Sequence, residues 1–171
     1  MSPLPKLTLV LGGAASGKSS YAEGLITSSG LEKIYIATAQ VFDDEMAAKV
    51  ARHRDLRGTG WTTVEEPLDP GAILSQHGPD SAVLVDCATL WLTNVMLAEQ
   101  DVPAACAVFV QAMADCAAPV VVVSNEVGQG IVPDNALARR FRNAQGALNQ
   151  AIAGQADRVV AVMAGLPLVL K

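Results

Sequence analysis

Aromatic residues are scarce in this chain of 171 residues: two Trp, two Tyr and three Phe, 4% of the total. So few rings do not make the stacking platform on which single-stranded nucleic acids are held. A basic surplus is missing too. With 12 Lys and Arg against 17 Asp and Glu, the formal charge is −5, which argues against a protein whose task is covering nucleic-acid phosphates. Charged residues reach only 17%, yet no apolar run approaches the ~18 to 20 residues that a membrane-spanning helix needs. Cysteine is limited to Cys87, Cys106 and Cys116, too few and too unevenly spaced for a disulfide framework or a zinc site, so reduced and mostly buried thiols are expected. The opening Met-Ser-Pro-Leu-Pro-Lys carries one positive charge and no long apolar segment behind it; it does not read as a secretory signal, and a cytoplasmic protein is expected. Repeats, low-complexity tracts and Pro/Gly/Ser-rich linkers are also lacking, so one domain over residues 1–171 is expected.

What is there is apolar: 51% of residues, with a mean hydropathy of +0.33. That supports a well-buried core and argues against disorder as the main state. Leu7 to Leu11 is short, β-rich and apolar on both faces, the signature of a central parallel strand buried under helices on both sides. Ile34 to Thr38, Ala82 to Asp86, Val120 to Ser124 and Arg158 to Met163 follow the same grammar, and Leu168 to Leu170 reads as a short edge strand. Helical spacing covers Ser19 to Ser28, Asp43 to Arg57, Leu90 to Glu99, Pro103 to Cys116 and Asn135 to Gln155. Gly30 is placed to end the first helix and Pro133-Asp134 to start the last. Gly58 to Gly60 and Gln76 to Asp80 read as turns. Alternating strand and helix predicts a three-layer α/β domain around a mainly parallel sheet with right-handed crossovers.

The segment Gly12-Gly13-Ala14-Ala15-Ser16-Gly17-Lys18-Ser19 fits G-x-x-x-x-G-K-[ST] without a mismatch, between a strand and a helix as the motif requires. It predicts a fold of the P-loop NTPase, RecA-like type. The backbone curls so that N–H groups and the positive helix end meet phosphate oxygens, Lys18 adds a full charge at the β and γ phosphates, and Ser19 supplies a hydroxyl to Mg²⁺. A glycine-rich turn that merely carries Lys-Ser is the plain alternative, disfavoured by the flanking strand and helix. Asp86, at the end of an apolar strand, suits a Mg²⁺ ligand; capping of the segment starting at Cys87 is its structural alternative.

Asp43 to Arg57 opens with three acids and closes with Lys49, Arg52, Arg54 and Arg57, in keeping with a helix macrodipole. Met46, Val50, His53 and Arg57 share one stripe. Neighbouring cations hold an imidazole at His53 neutral, the form that attacks phosphorus, while a packing or surface histidine in a solvated helix is the plainer reading. His77, in a polar turn, keeps its plain reading. Ser124-Asn125-Glu126 ends a strand where open α/β sheets bind ligands. Arg139, Arg140 and Arg142 read equally as phosphate or subunit contacts and as a solvated helix face.

Taken together these segments resemble one family almost end to end: the bifunctional adenosylcobinamide kinase/adenosylcobinamide-phosphate guanylyltransferases of cobalamin biosynthesis. The resemblance is carried by GGAASGKS, Tyr35 to Ala39, Asp44-Glu45-Met46 through His53-Arg54 and Arg57 to Trp61 and Glu65. VDCATLWLTN from Val85, NEVGQGIVPDN from Asn125, and ARRFRN with Gly146 and Asn149-Gln150 complete it. Two positions depart from the family's usual pattern: Ala15 stands where an arginine is common, and Asn143 where aspartate is usual. The resemblance implies that His53 becomes covalently guanylylated, with Lys18 serving the phosphoryl transfer. It implies nucleotide contacts at the loop residues Gly12 to Ser19, at Thr38, Ala39 and Gln40, at Arg54, Asp55, Leu56 and Arg57, and at Glu65 and Asp86, with Mg²⁺ on Ser19 and Asp86. The implied substrates are GTP or ATP, adenosylcobinamide and adenosylcobinamide phosphate, and the implied assembly is a homotrimer with sites between subunits. A P-loop kinase for another small alcohol, and a GTP-binding protein without turnover, are the rival readings.

Overall fold

The computed structural model describes residues 3–41 and 44–171, with the main chain alone for Glu45, Met46, Lys49, His53 and Leu56. The elements run β1 (Leu7–Gly12), α1 (Lys18–Ser29), β2 (Glu32–Ala37), α2 (Asp44–Arg57), β3 (Trp61–Glu65), α3 (Pro70–Leu74), β4 (Ser81–Asp86), α4 (Ala88–Leu97), α5 (Val102–Asp115), β5 (Val120–Asn125), α6 (Ala136–Gln155), β6 (Arg158–Met163) and β7 (Leu166–Val169). They form a seven-stranded sheet in the order β3-β2-β4-β5-β1-β6-β7. All pairings are parallel except that of β6 with β7, which is an antiparallel hairpin. The expected three-layer, mainly parallel architecture is therefore the observed one.

Alternation along each strand divides the core in two. Leu7, Leu9, Ile34, Ile36, Val83, Val85, Val120 and Val122 point to one face, where Trp91 and Leu92 of α4, Phe109 and Met113 of α5, and Leu148 and Ile152 of α6 cover them. Val10, Tyr35, Leu84, Val121, Val123 and Val160 point to the other, under Ala22 and Ile26 of α1. Both faces being covered explains why the strands read as unbroken apolar runs rather than alternating ones.

The structure adds two elements to those expected. β3 leaves no sequence signal because an edge strand with only Trp61 and Val64 half-buried has no apolar run. α3, five residues long, is set by Asp69, whose side chain accepts from the Ala72 N–H, and by Pro70 in the first turn. Boundaries shift by a residue or two elsewhere. The last strand is Leu166–Val169 rather than Leu168 to Leu170. α2 starts at Asp44, and Asp43 lies outside the described residues. α4 starts at Ala88 with Cys87 as its cap, the Sγ accepting from Leu90 N–H. That removes the capping role considered for Asp86. Gly30 ends α1 in the left-handed region, and Asn135 caps α6, its Oδ1 accepting from Ala138 N–H at 2.7 Å.

Trp91 fixes the larger core. It is 2% exposed, its ring lies 4.4 Å from that of Phe109, and its Nε1–H donates to the Leu68 carbonyl at 3.0 Å. Trp91→Ala is expected to cost about 3–5 kcal/mol, from the cavity and the unpaired carbonyl together. Urea unfolding followed by far-UV circular dichroism measures this.

Candidate functional site

Parallel strands end on the same side, and this chain gathers its polar motifs there. Gly12 pairs in register with Asn125, and Ala37 pairs with both Glu65 and Asp86, so the ends of five strands form one edge. The loop Gly12 to Ser19 leaves β1 at this edge and enters α1. Gly17 sits at φ +92°, where an L side chain is strained, and a Cβ on it would come 3.0 Å from the Cα of Gly165. A Cβ on Gly12 would lie 2.7 Å from the Val162 carbonyl and collide with Ser16. The Gly165 N–H donates to the Ser16 carbonyl at 2.8 Å, so the β6–β7 turn backs the loop from behind. Lys18 Nζ donates to the Gly13 carbonyl at 3.0 Å, which holds the ammonium across the loop. Ala15, at the position where the family commonly has arginine, is exposed and has φ +52°.

Asp86 ends β4, and the Tyr35 hydroxyl donates to its Oδ2 at 3.0 Å. Burial first, then the Asp86 charge, pushes the Tyr35 phenol far above its usual range, so Tyr35 is a fixed donor. The adjacent Cys87 thiol is raised to about 11, by burial and then by Asp86, with Lys18 pulling it down. One buried sulfur thus feels both the loop lysine and the strand acid. Ser19 opens α1 half-buried, and its hydroxyl together with the Asp86 carboxylate is a donor set suited to Mg²⁺, which takes one or two carboxylates alongside substrate phosphates.

Thr38 follows β2 and is fully buried. Its Oγ1 donates to the Cys87 carbonyl and accepts from the Cys87 N–H, each at 2.8 Å. Asn94 Nδ2 donates to the Thr38 carbonyl at 2.7 Å and to Pro67 at 3.0 Å. Thr38 therefore locks the start of the segment holding Ala39 and Gln40, both half-buried. A second buried group joins Ser124, Gln145 and Asn149 at 2.6 to 3.0 Å, and Asn149 Nδ2 also donates to the Asn125 carbonyl. Next to the loop, Ser16 Oγ and Asn125 Oδ1 are buried with no hydrogen-bond partner. Unpaired buried polar atoms are costly, and these two lie at the strand-end edge from which the phosphate loop leaves.

Of the α2 residues singled out, Arg54 and Asp55 are exposed, and the side chains of His53 and Leu56 lie outside the described residues. Among the described side chains of this set, Arg57 is drawn inward. Its side chain is 5% exposed, its guanidinium carbon stands 3.3 Å from the Tyr35 ring centroid and 5.9 Å from that of Trp61, and its Nε lies 3.9 Å from Glu23 Oε1. Arg139 and Arg142 point back to their own loop, donating to the carbonyls of Pro133, Asp134 and Gly128. Sequence reasoning missed Glu23. The available signal was its place four residues after Ser19, on the same side of α1.

Glu23 is raised from 4.5 to about 6, chiefly by burial; Arg57 lowers it and Asp86 raises it. The native state therefore binds more protons than the unfolded state between these values, and stability falls as pH rises from about 4.5 through 6, then levels. Glu23→Gln is expected to remove that slope, as read from urea midpoints between pH 4.5 and 7. Gly17→Ala is expected to weaken nucleotide binding at least about tenfold, through strain and collision with Gly165, as read by calorimetric titration.

Comparison with known proteins agrees with this geometry. Residues 8–170 match the family described as Cobinamide kinase / cobinamide phosphate guanyltransferase. The chain is 45% identical over 166 residues to the bifunctional adenosylcobalamin biosynthesis protein CobP of Pseudomonas aeruginosa, covering 95% of this chain and 96% of that protein. It is 40% identical over 182 residues to CobU of Salmonella typhimurium, covering 96% and 99%. Among solved structures it is similar to flagellar accessory protein FlaH from Methanocaldococcus jannaschii, with TM-score 0.54, 12% identity and coverage of 99% and 80%. It is also similar to the RadB recombinase, with TM-score 0.51, 18% identity and coverage of 94% and 76%. The structural likenesses speak to fold, and they agree with the RecA-like expectation. The sequence relatives speak to family: this chain belongs to the cobinamide kinase / cobinamide phosphate guanyltransferase family.

Proposed function

We propose that this enzyme phosphorylates adenosylcobinamide with a nucleoside triphosphate and then moves GMP from GTP onto adenosylcobinamide phosphate, through a guanylylated His53, in the assembly of cobalamin. The observation that carries the proposal is the single strand-end edge shared by the phosphate loop, Thr38, Glu65 and Asp86, with α2 anchored beside it by Arg57.

In the first reaction the loop N–H groups and Lys18 hold the triphosphate and neutralise charge as the γ-phosphoryl leaves for the substrate hydroxyl. Ser19 and Asp86 are the residues that would hold Mg²⁺, which when bound supplies further neutralisation of the phosphates. In the second, the neutral imidazole of His53 attacks the α-phosphorus of GTP. A P–N bond forms, the bond from the α-phosphorus to the bridging oxygen breaks, and pyrophosphate leaves. The phosphate of the corrinoid substrate then attacks the same phosphorus, displacing the imidazole and closing the diphosphate of adenosylcobinamide-GDP. Two displacements through a covalent intermediate replace one difficult transfer. Ala39, Gln40, Arg54, Asp55, Leu56, Glu65 and Asp86 form the nucleotide contacts outside the loop in this reading, while Thr38 and Arg57, buried against Cys87 and Tyr35, support them from beneath. We further infer a single domain that assembles as a trimer, neighbouring subunits supplying the wall that a large corrinoid requires.

Intact-protein mass after incubation with GTP and Mg²⁺, without corrinoid, tests the covalent step. The native chain is expected to gain one GMP, acid-labile and base-stable, and His53→Ala none. Lys18→Ala is expected to reduce both reactions, and His53→Ala to spare much of the phosphoryl transfer. A His53→Ala protein with full guanylyltransferase activity would overturn the mechanism.

A further inference from the structure

Arg57 is the last residue of α2 and lies one helical turn beyond His53. What surrounds its guanidinium is assembled from four other elements. Tyr35 of β2 lies flat beneath it at 3.3 Å, and Trp61 of β3 stands edge-on to Tyr35, with ring centroids 6.0 Å apart at 86°. Glu23 of α1 supplies the counter-charge at 3.9 Å, and Tyr35 passes the connection on to Asp86 of β4 through a 3.0 Å hydrogen bond. Lys33, bonded to the Thr59 carbonyl at 3.0 Å, stands 5.5 Å over the Trp61 ring and closes the outer side.

This socket lacks the usual fastening of a buried arginine. Nε and Nη1 are buried and make no hydrogen bond, and 3.9 Å to the carboxylate is an ion pair rather than a hydrogen bond. The guanidinium is held by aromatic faces and by one carboxylate charge. Among the described side chains of α2, Asp44, Ala47, Ala48, Arg52, Arg54 and Asp55 are exposed. Val50 and Ala51 are half-buried, and among the described side chains of α2 it is Arg57, at the helix end, that makes polar and ring contacts with α1, which continues the phosphate loop, and with Tyr35, which bonds Asp86.

We propose that Glu23 is a positioning residue for nucleotidyl transfer, acting through Arg57 to seat the end of the helix that carries His53. The proposal rests on the guanylyl-histidine reading above and adds to it a residue that makes no contact with substrate. Glu23 reaches the helix from α1, whose first turn is the phosphate loop's own Lys18 and Ser19, so the same element that binds phosphate sets the distance to the nucleophile's helix.

The test compares the native protein with Glu23→Gln, Glu23→Asp, Arg57→Gln and the double variant Glu23→Gln/Arg57→Gln. Single-turnover formation of the GMP adduct from GTP is followed by intact mass, and phosphoryl transfer to adenosylcobinamide is measured separately. Glu23→Gln is expected to slow adduct formation about tenfold while phosphoryl transfer stays within about twofold, because misplacement affects only the step that uses the helix. Glu23→Asp, with the charge on a shorter arm, recovers part of the rate. In the double variant the Glu23 change adds nothing to Arg57→Gln, which removes the charge that Glu23 faces, as required if one residue acts through the other. Native-rate adduct formation in Glu23→Gln, additive effects in the double variant, or an equal fall in both reactions would each overturn the positioning role while leaving the guanylyl-histidine intact. A native chain that binds GTP and forms no adduct would overturn both.

Discussion

Everything functional in this structure depends on strands β1 to β6 running in one direction. A parallel sheet buried on both faces sends all its strand ends to one edge, where the ladder stops and main-chain groups need new partners. The chain meets that need with buried side chains rather than solvent. Thr38 bonds both ways to Cys87, Asn94 holds the carbonyls of Thr38 and Pro67, Thr89 accepts from the Asn125 N–H, and Asn149 takes up the Asn125 carbonyl. The result is a rigid polar belt beneath the phosphate loop. Ser16 Oγ and Asn125 Oδ1, next to that loop, are among the buried atoms left unpaired.

The belt also explains the spacing of charge. Lys18 and Glu23 of α1, Arg57 of α2 and Asp86 of β4 come from three separate elements, yet Glu23 feels both Arg57 and Asp86, and Cys87 feels both Asp86 and Lys18. Tyr35 stands between Asp86 and Arg57, with its hydroxyl on the carboxylate and its ring face under the guanidinium.

The sequence was legible where physics is local. The phosphate loop is one contiguous motif between a strand and a helix, and five strands announce themselves as apolar runs because both their faces are buried. Pro133-Asp134 marked the start of α6 to within a few residues, but the cap itself is Asn135. What escaped was relational. β3 exposes too much of itself to leave an apolar trace, and the supporting role of Glu23 needs α1, α2 and β2 to be brought together before it has a partner. The glycines of the loop could be assigned to phosphate binding from sequence, but the reason Gly12 and Gly17 admit no larger residue lies in β6 and the turn after it. The stripe that places His53 with Val50 and Arg57 was sound at Arg57, which is buried, and Val50 is half-buried.

The bond from the Gly165 N–H to the Ser16 carbonyl joins segments from opposite ends of the described sequence. A contact of that sequence separation forms only after most of the sheet has closed, because the entropy of such a large loop must first be overcome. A partly folded chain, or one whose β6–β7 hairpin has opened, therefore has the signature residues of a phosphate loop without its shape. Triphosphate then binds the complete fold in preference to these opened forms, and by mass action it protects the hairpin, far along the chain, as firmly as the loop that it touches.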